Sequence, residues 1–139
     1  MPVKARHILL ALLAVTVGGI AIAATPPPPN VTGKKEQSMI VEYIRYDIPA
    51  ERADAFIDAY RAAGEHLRAS PHCLRYEVGR GSEEPHHLVV RIEWDSIEGH
   101  LQGFRTSPAF QKFFVLVRPF VSNIQEMKHY RVEGQWSRS

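Results

Sequence analysis

The nine residues "HHLVVRIEW", His86–Trp94, constrain the fold more than any other stretch. Leu88, Val90, Ile92 and Trp94 alternate with His87, Arg91 and Glu93, and successive side chains point to opposite faces only in a strand. One face of this strand is apolar and the other is mixed, so the chain must build a sheet that a second layer covers.

The neighbouring segments supply that layer. "MIVEYIRYDI" from Met39 is rich in β-branched and aromatic residues, with Val41, Tyr43 and Arg45 on one face and Ile40, Ile44 and Ile48 on the other, until Pro49 ends it. In "AERADAFIDAYRAAGEHLRAS" Ala53, Phe56, Ile57, Tyr60, Gly64 and Leu67 recur at helical spacing, and Pro71 stops the helix. "CLRYEV" predicts a strand with Leu74, Tyr76 and Val78 on one face and Arg75 and Glu77 on the other, joined to "HHLVVRIEW" by the turn-rich "GRGSEEP". Ser96 to Thr106 predicts a short helix. Ser107-Pro108 suits an N-cap and first turn for another helix reaching Val117, with Phe110, Phe113, Phe114 and Val117 as its apolar stripe. "IQEMKHYRV" predicts the last strand.

The order β-α-β-β-α-α-β predicts an α+β ferredoxin-like sandwich, an antiparallel sheet with helices on one face. The reverse face alternates charged and apolar groups (Arg75 and Glu77; His87, Val89, Arg91 and Glu93), which suits a second copy of the sheet packing against it as a homodimer.

With 139 residues, 45% of them hydrophobic, one small domain is expected. Lys4 and Arg6, the apolar run Ile8–Ile22 and the small residues of Ala21-Ile22-Ala23 predict a signal peptide over 1–23 and hence a periplasmic or secreted domain; the alternative is an uncleaved membrane anchor. A Pro-rich linker over 24–38, the domain over 39–132 and a patternless tail over 133–139 complete the organisation. Without Lys4 and Arg6 the 17 basic residues match the 15 acidic ones in number. That balance argues against nucleic acid, or a membrane surface after cleavage, as partner. Cys73 is the one cysteine; it makes no internal disulfide and suits a buried strand position.

"SPHCLRYEV", "RIEWDS" and "SPAFQKFF", in that order behind a β-α start, resemble the antibiotic biosynthesis monooxygenase (ABM) family, which includes quinol monooxygenases. The resemblance spans Met39 to Val132, and Glu93, Trp94 and Ser96 are its most telling part. It implies a dimeric α/β barrel with a cavity between sheet and helices in each protomer. It also implies a cofactor-independent monooxygenase that oxidises a quinol-like or polyketide-like aromatic with dioxygen, without flavin, haem or metal. A deprotonated phenol or anthrone itself reduces dioxygen, so such a protein need only bind a flat ring, accept a proton and stabilise the anion. Trp94 is then the expected ring wall, with Tyr43 and Phe104 as neighbours, and His100 the expected base. The plainer alternatives are that Trp94 is core and that His100 faces solvent.

The chain also departs from the family. Where many members carry histidines around the Ser-Pro pair, Phe104 and Ala109 stand here. The positions that related haem-degrading enzymes use fall nearest Tyr43, Gly103 and Phe113, so haem degradation is not expected. A non-catalytic dimeric domain binding a small apolar ligand is the alternative function. No metal is expected: His86-His87 has no third ligand at a recognisable spacing, and His66 and His129 have no visible partner.

Overall fold

The computed structural model describes residues 39–138; the expected leader and Pro-rich linker, and with them export or anchoring, lie outside the described residues. The strands are β1 (Ile40–Asp47), β2 (Cys73–Arg80), β3 (His87–Trp94) and β4 (Ile124–Arg131), and the α-helices are α1 (Ala53–Arg68) and α2 (Pro108–Val117). The sheet order is β2-β3-β1-β4, with every neighbouring pair antiparallel. Each β-α-β unit is split by a strand from the other, which is the ferredoxin-like α+β sandwich that the element order predicts.

Local chemistry explains the elements. α1 follows a 3₁₀ turn at Ala50–Arg52 and buries Ala53, Phe56, Tyr60, Ala63, Gly64 and Leu67, one stripe at three- and four-residue spacing. α2 begins at Ser107, whose side chain accepts the Phe110 N–H at 3.2 Å, with Pro108 in the first turn. Phe56, Tyr60, Trp94, Phe104, Phe113 and Phe120 join strand aliphatics in one core. Burying a large apolar side chain contributes roughly 1.5–3 kcal/mol, whereas an exposed ion pair such as Arg61–Asp58 contributes about 0–1 kcal/mol. The core therefore holds the sheet to the helices.

Two predicted details change. In β2 the register shifts between Cys73, opposite Trp94, and Arg75, opposite Glu93. Leu74 is thus the extra residue of a bulge and 55% exposed, while Cys73, Tyr76 and Val78 pack on the core. The expected Ser96–Thr106 helix starts at Ile97 but widens to π geometry over Gly99–Phe104, where the Arg105 N–H donates to the His100 carbonyl at 2.9 Å. Glycines permit this: a Cβ on Gly99 would collide with Asp95 and His72, and one on Gly103 with His72. The His72 ring packs there, held by Asp95 at 2.8 Å.

Candidate active site

Sheet and helices line a half-open cavity of about 240 Å³. Its walls are Ile44 and Tyr46 from β1, Tyr60 from α1, Ile92 and Trp94 from β3, Phe104 and Arg105 at the π turn, Phe110, Phe113, Phe114 and Val117 from α2, Val121, and Ile124 and Met127 from β4; Glu42 and His100 supply polar groups. The aromatic rings form a continuous lining. Phe104 lies 5.2 Å from Trp94 and 5.6 Å from Phe113, the latter edge-on.

A carboxylate and two imidazoles gather at one end. Glu42 occupies the inward register of β1 between Ile40 and Ile44 and is only 2% exposed. The Trp94 Nε1–H donates to its Oε2 at 3.1 Å. His100 is also 2% exposed and stacks on the Trp94 indole at 4.2 Å with the planes 10° apart. Its Nδ1 lies 2.8 Å from Nε2 of His129, which β4 places opposite Glu42. Nε2 of His100 is 3.6 Å from Oε2 of Glu42, and Nε2 of His129 is 3.8 Å from Oε1. Both separations exceed a hydrogen bond. Burial raises the Glu42 pKa, against the opposing effects of the Trp94 hydrogen bond and the Arg105 charge. Burial first, then His129 and Arg105, lowers His100 to about 3. His129 is lowered by the same burial and by Arg105. Both imidazoles are therefore neutral at pH 7, and in their mutual hydrogen bond one ring nitrogen donates and the other accepts.

The other end is neutral. The Tyr46 and Tyr60 hydroxyls lie 2.6 Å apart amid Phe56 and Phe113. Burial pushes Tyr46 to about 12 and Tyr60 well above its ordinary value.

Of the residues expected from sequence, the structure brings Trp94, Phe104 and His100 to the cavity, and His100 is buried rather than facing solvent. Tyr43 is a correction. Its neighbour Glu42 points inward, so strand alternation turns Tyr43 to the reverse face, where it packs edge-on against Tyr130 at 5.6 Å and its hydroxyl accepts from Arg91. Arg91 also pairs with Glu93 at 2.6 Å, and Arg45 with Glu126. His129, expected without a partner, faces His100 and Glu42. Sequence reasoning missed Glu42 although the signal was present: an acid in the apolar register Ile40-Glu42-Ile44-Tyr46-Ile48.

Residues 39–115 match the family model described as antibiotic biosynthesis monooxygenase. An uncharacterised Bacillus subtilis protein, YczJ, is 26% identical over 76 residues, covering 55% of this chain and 80% of that protein. Among solved structures, a Bordetella bronchiseptica protein assigned to the same monooxygenases superposes with a TM-score of 0.59 at 22% identity, covering 69% of this chain and 98% of that one. SnoaB, a cofactor-independent oxygenase from Streptomyces nogalater, superposes with a TM-score of 0.55 at 11% identity, covering 72% and 96%. At these identities the structural likenesses show a shared fold.

Proposed function

The chain belongs to the antibiotic biosynthesis monooxygenase family, and from that premise we propose that its domain is a cofactor-independent oxygenase for a small electron-rich aromatic of the hydroquinone class. The observation that carries the proposal is the cavity: about 240 Å³, ringed by aromatic side chains and polar at one end. A void of about 150 Å³ accepts one benzene ring, and pockets for drug-sized ligands begin near 300 Å³. The size suits one or two rings, and because the pocket is open on one side a larger polyketide would extend out of it. A flat ring lies between Trp94 and the phenylalanines with its hydroxyl toward Glu42 and His100; Glu42, whose pKa burial raises, accepts the phenolic proton, and His100, lowered to about 3, positions the hydroxyl. SnoaB supports the reaction class.

The chemistry balances without another reductant. The phenolate gives one electron to dioxygen, and the resulting semiquinone and superoxide join through a new C–O bond. Loss of the ring proton at that carbon with cleavage of the O–O bond then releases water and leaves a carbonyl. Hydroquinone and one dioxygen become hydroxyquinone and one water. Apolar walls favour this course by excluding bulk water from the peroxide.

The reverse sheet face, where Tyr43, Val89 and Arg91 are only partly buried, supports a homodimer in which the two sheets pack together, and residues 1–23 support a periplasmic or secreted location. The test is oxygen uptake by the purified domain with hydroquinones of one, two and four rings. We expect uptake with the one- and two-ring compounds, one dioxygen per substrate and no hydrogen peroxide. Saturable binding of these compounds without uptake would replace the proposal with the ligand-binding alternative, which the low basicity of His100 favours.

A further inference from the structure

Among the described residues that line the cavity, Arg105 alone is a cation at neutral pH. The π turn brings it there, because its backbone N–H closes the turn onto the His100 carbonyl and leaves Phe104 and Arg105 both in the cavity wall. The guanidinium carbon stands 5.7 Å from the Phe110 ring centroid, and a guanidinium N–H donates to the Met127 sulfur at 3.7 Å. Met127, Phe114 and Val121 line the cavity and are themselves exposed, so they mark its open side. We propose that Arg105 binds a carboxylate carried by the substrate, so that the cavity selects a hydroquinone with an acidic side arm held at its mouth.

The free donors of the guanidinium carry the proposal. Arg45, Arg80 and Arg91 each rest beside a carboxylate, at 3.3, 3.2 and 2.6 Å. Among the described residues no carboxylate pairs with Arg105, and its side-chain hydrogen bond goes to a thioether sulfur, a weak acceptor. The contact with Phe110 uses the face of the guanidinium, which leaves its planar fork of donors for a carboxylate.

The buried end sets the orientation. A carboxylate there would meet Glu42 and two neutral imidazoles and lose its hydration without a cation in return. The β1–β4 register puts His129 opposite Glu42 and Met127 opposite Ile44. The two β4 positions are about 7 Å apart at the rise of a strand, a separation that one aromatic ring can bridge. A ring with its hydroxyl at Glu42 and His100 therefore brings a side arm toward Arg105. Behind burial as the main cause, the Arg105 charge also bears on the titration of Glu42, His100 and His129, so its field reaches the space between. Arg105 is exposed, and an exposed ion pair contributes little; the apolar walls at the mouth shield one side of this one.

The inference rests on the aromatic-cavity oxygenase reading and deepens it by naming the substrate class. Its test is binding to the full chain, measured by calorimetry without oxygen, of a hydroquinone with an acetate arm and of the methyl ester of the same compound. We expect the acid to bind about fivefold to tenfold more tightly than the ester, and added salt to lower that preference. Arg105→Gln should abolish the preference and Arg105→Lys should keep part of it. Arg80→Gln, which removes the same charge away from the cavity, should leave it intact, and circular dichroism confirms that each variant is folded. Equal binding of acid and ester, or a preference that survives Arg105→Gln, would overturn the inference and leave the oxygenase reading to its own test of oxygen uptake. Binding of neither compound would overturn it together with the aromatic cavity on which it rests.

Discussion

Two groups of polar side chains are buried at opposite ends of one cavity, and they are built differently. At one end the Tyr46 and Tyr60 hydroxyls satisfy each other at 2.6 Å, and nothing there carries charge near neutral pH. At the other, Glu42 has one short hydrogen bond, from Trp94, and two imidazoles that stop 3.6 and 3.8 Å away. A closed neutral pair stabilises a core. A buried carboxylate with incomplete partners costs stability and persists where it has chemistry to do.

The largest effect should come from Trp94→Ala. It removes a fully buried indole and the hydrogen bond of Glu42, and should destabilise the domain by about 3–5 kcal/mol in chemical denaturation. Loss of less than about 1 kcal/mol would show that the open end contributes little packing. Next comes Tyr60→Phe, which strands the Tyr46 hydroxyl and should cost about 1–3 kcal/mol. The double variant Tyr46→Phe/Tyr60→Phe should recover most of that loss, and a double-mutant cycle measures the coupling. Purely additive losses would break the idea of a closed pair.

The pair also sets a pH window. Both tyrosines have folded pKa values above the unfolded value of 10.0. Their contribution is therefore complete below pH 10 and is lost as pH rises toward 12. Denaturation midpoints from pH 9 to 11.5 should fall less steeply in the double phenylalanine variant than in the wild type. The smallest stability effect is expected for Glu42→Gln, within about 1 kcal/mol, because the amide still accepts from Trp94 while a buried charge is removed. A large loss there would place Glu42 in the structural class.

Sequence periodicity revealed the sheet and both long helices because one-sided burial forces a period of two or 3.6 on the residues. It could not show the Leu74 bulge, which depends on the Cys73–Trp94 register, or the close packing of the His72 ring on Gly99 and Gly103 of the π turn. Trp94, Phe104 and His100 were legible because they sit on inward positions of their own elements. Tyr43 misled by a single residue, which in a strand is a change of face. Glu42 and His129 become a pair only through the β1–β4 register, which spans most of the domain.

Oxygen uptake with a one-ring hydroquinone, compared between variants at the two ends, tests most directly whether the open end is the functional one. Glu42→Gln should lower the turnover rate by about 10²-fold or more, the contribution of a proton acceptor, and His100→Ala by less, while Tyr60→Phe stays close to the wild type once correctly folded. Turnover retained in both open-end variants, or lost equally in Tyr60→Phe, would contradict the division of the cavity into a structural end and a chemical one.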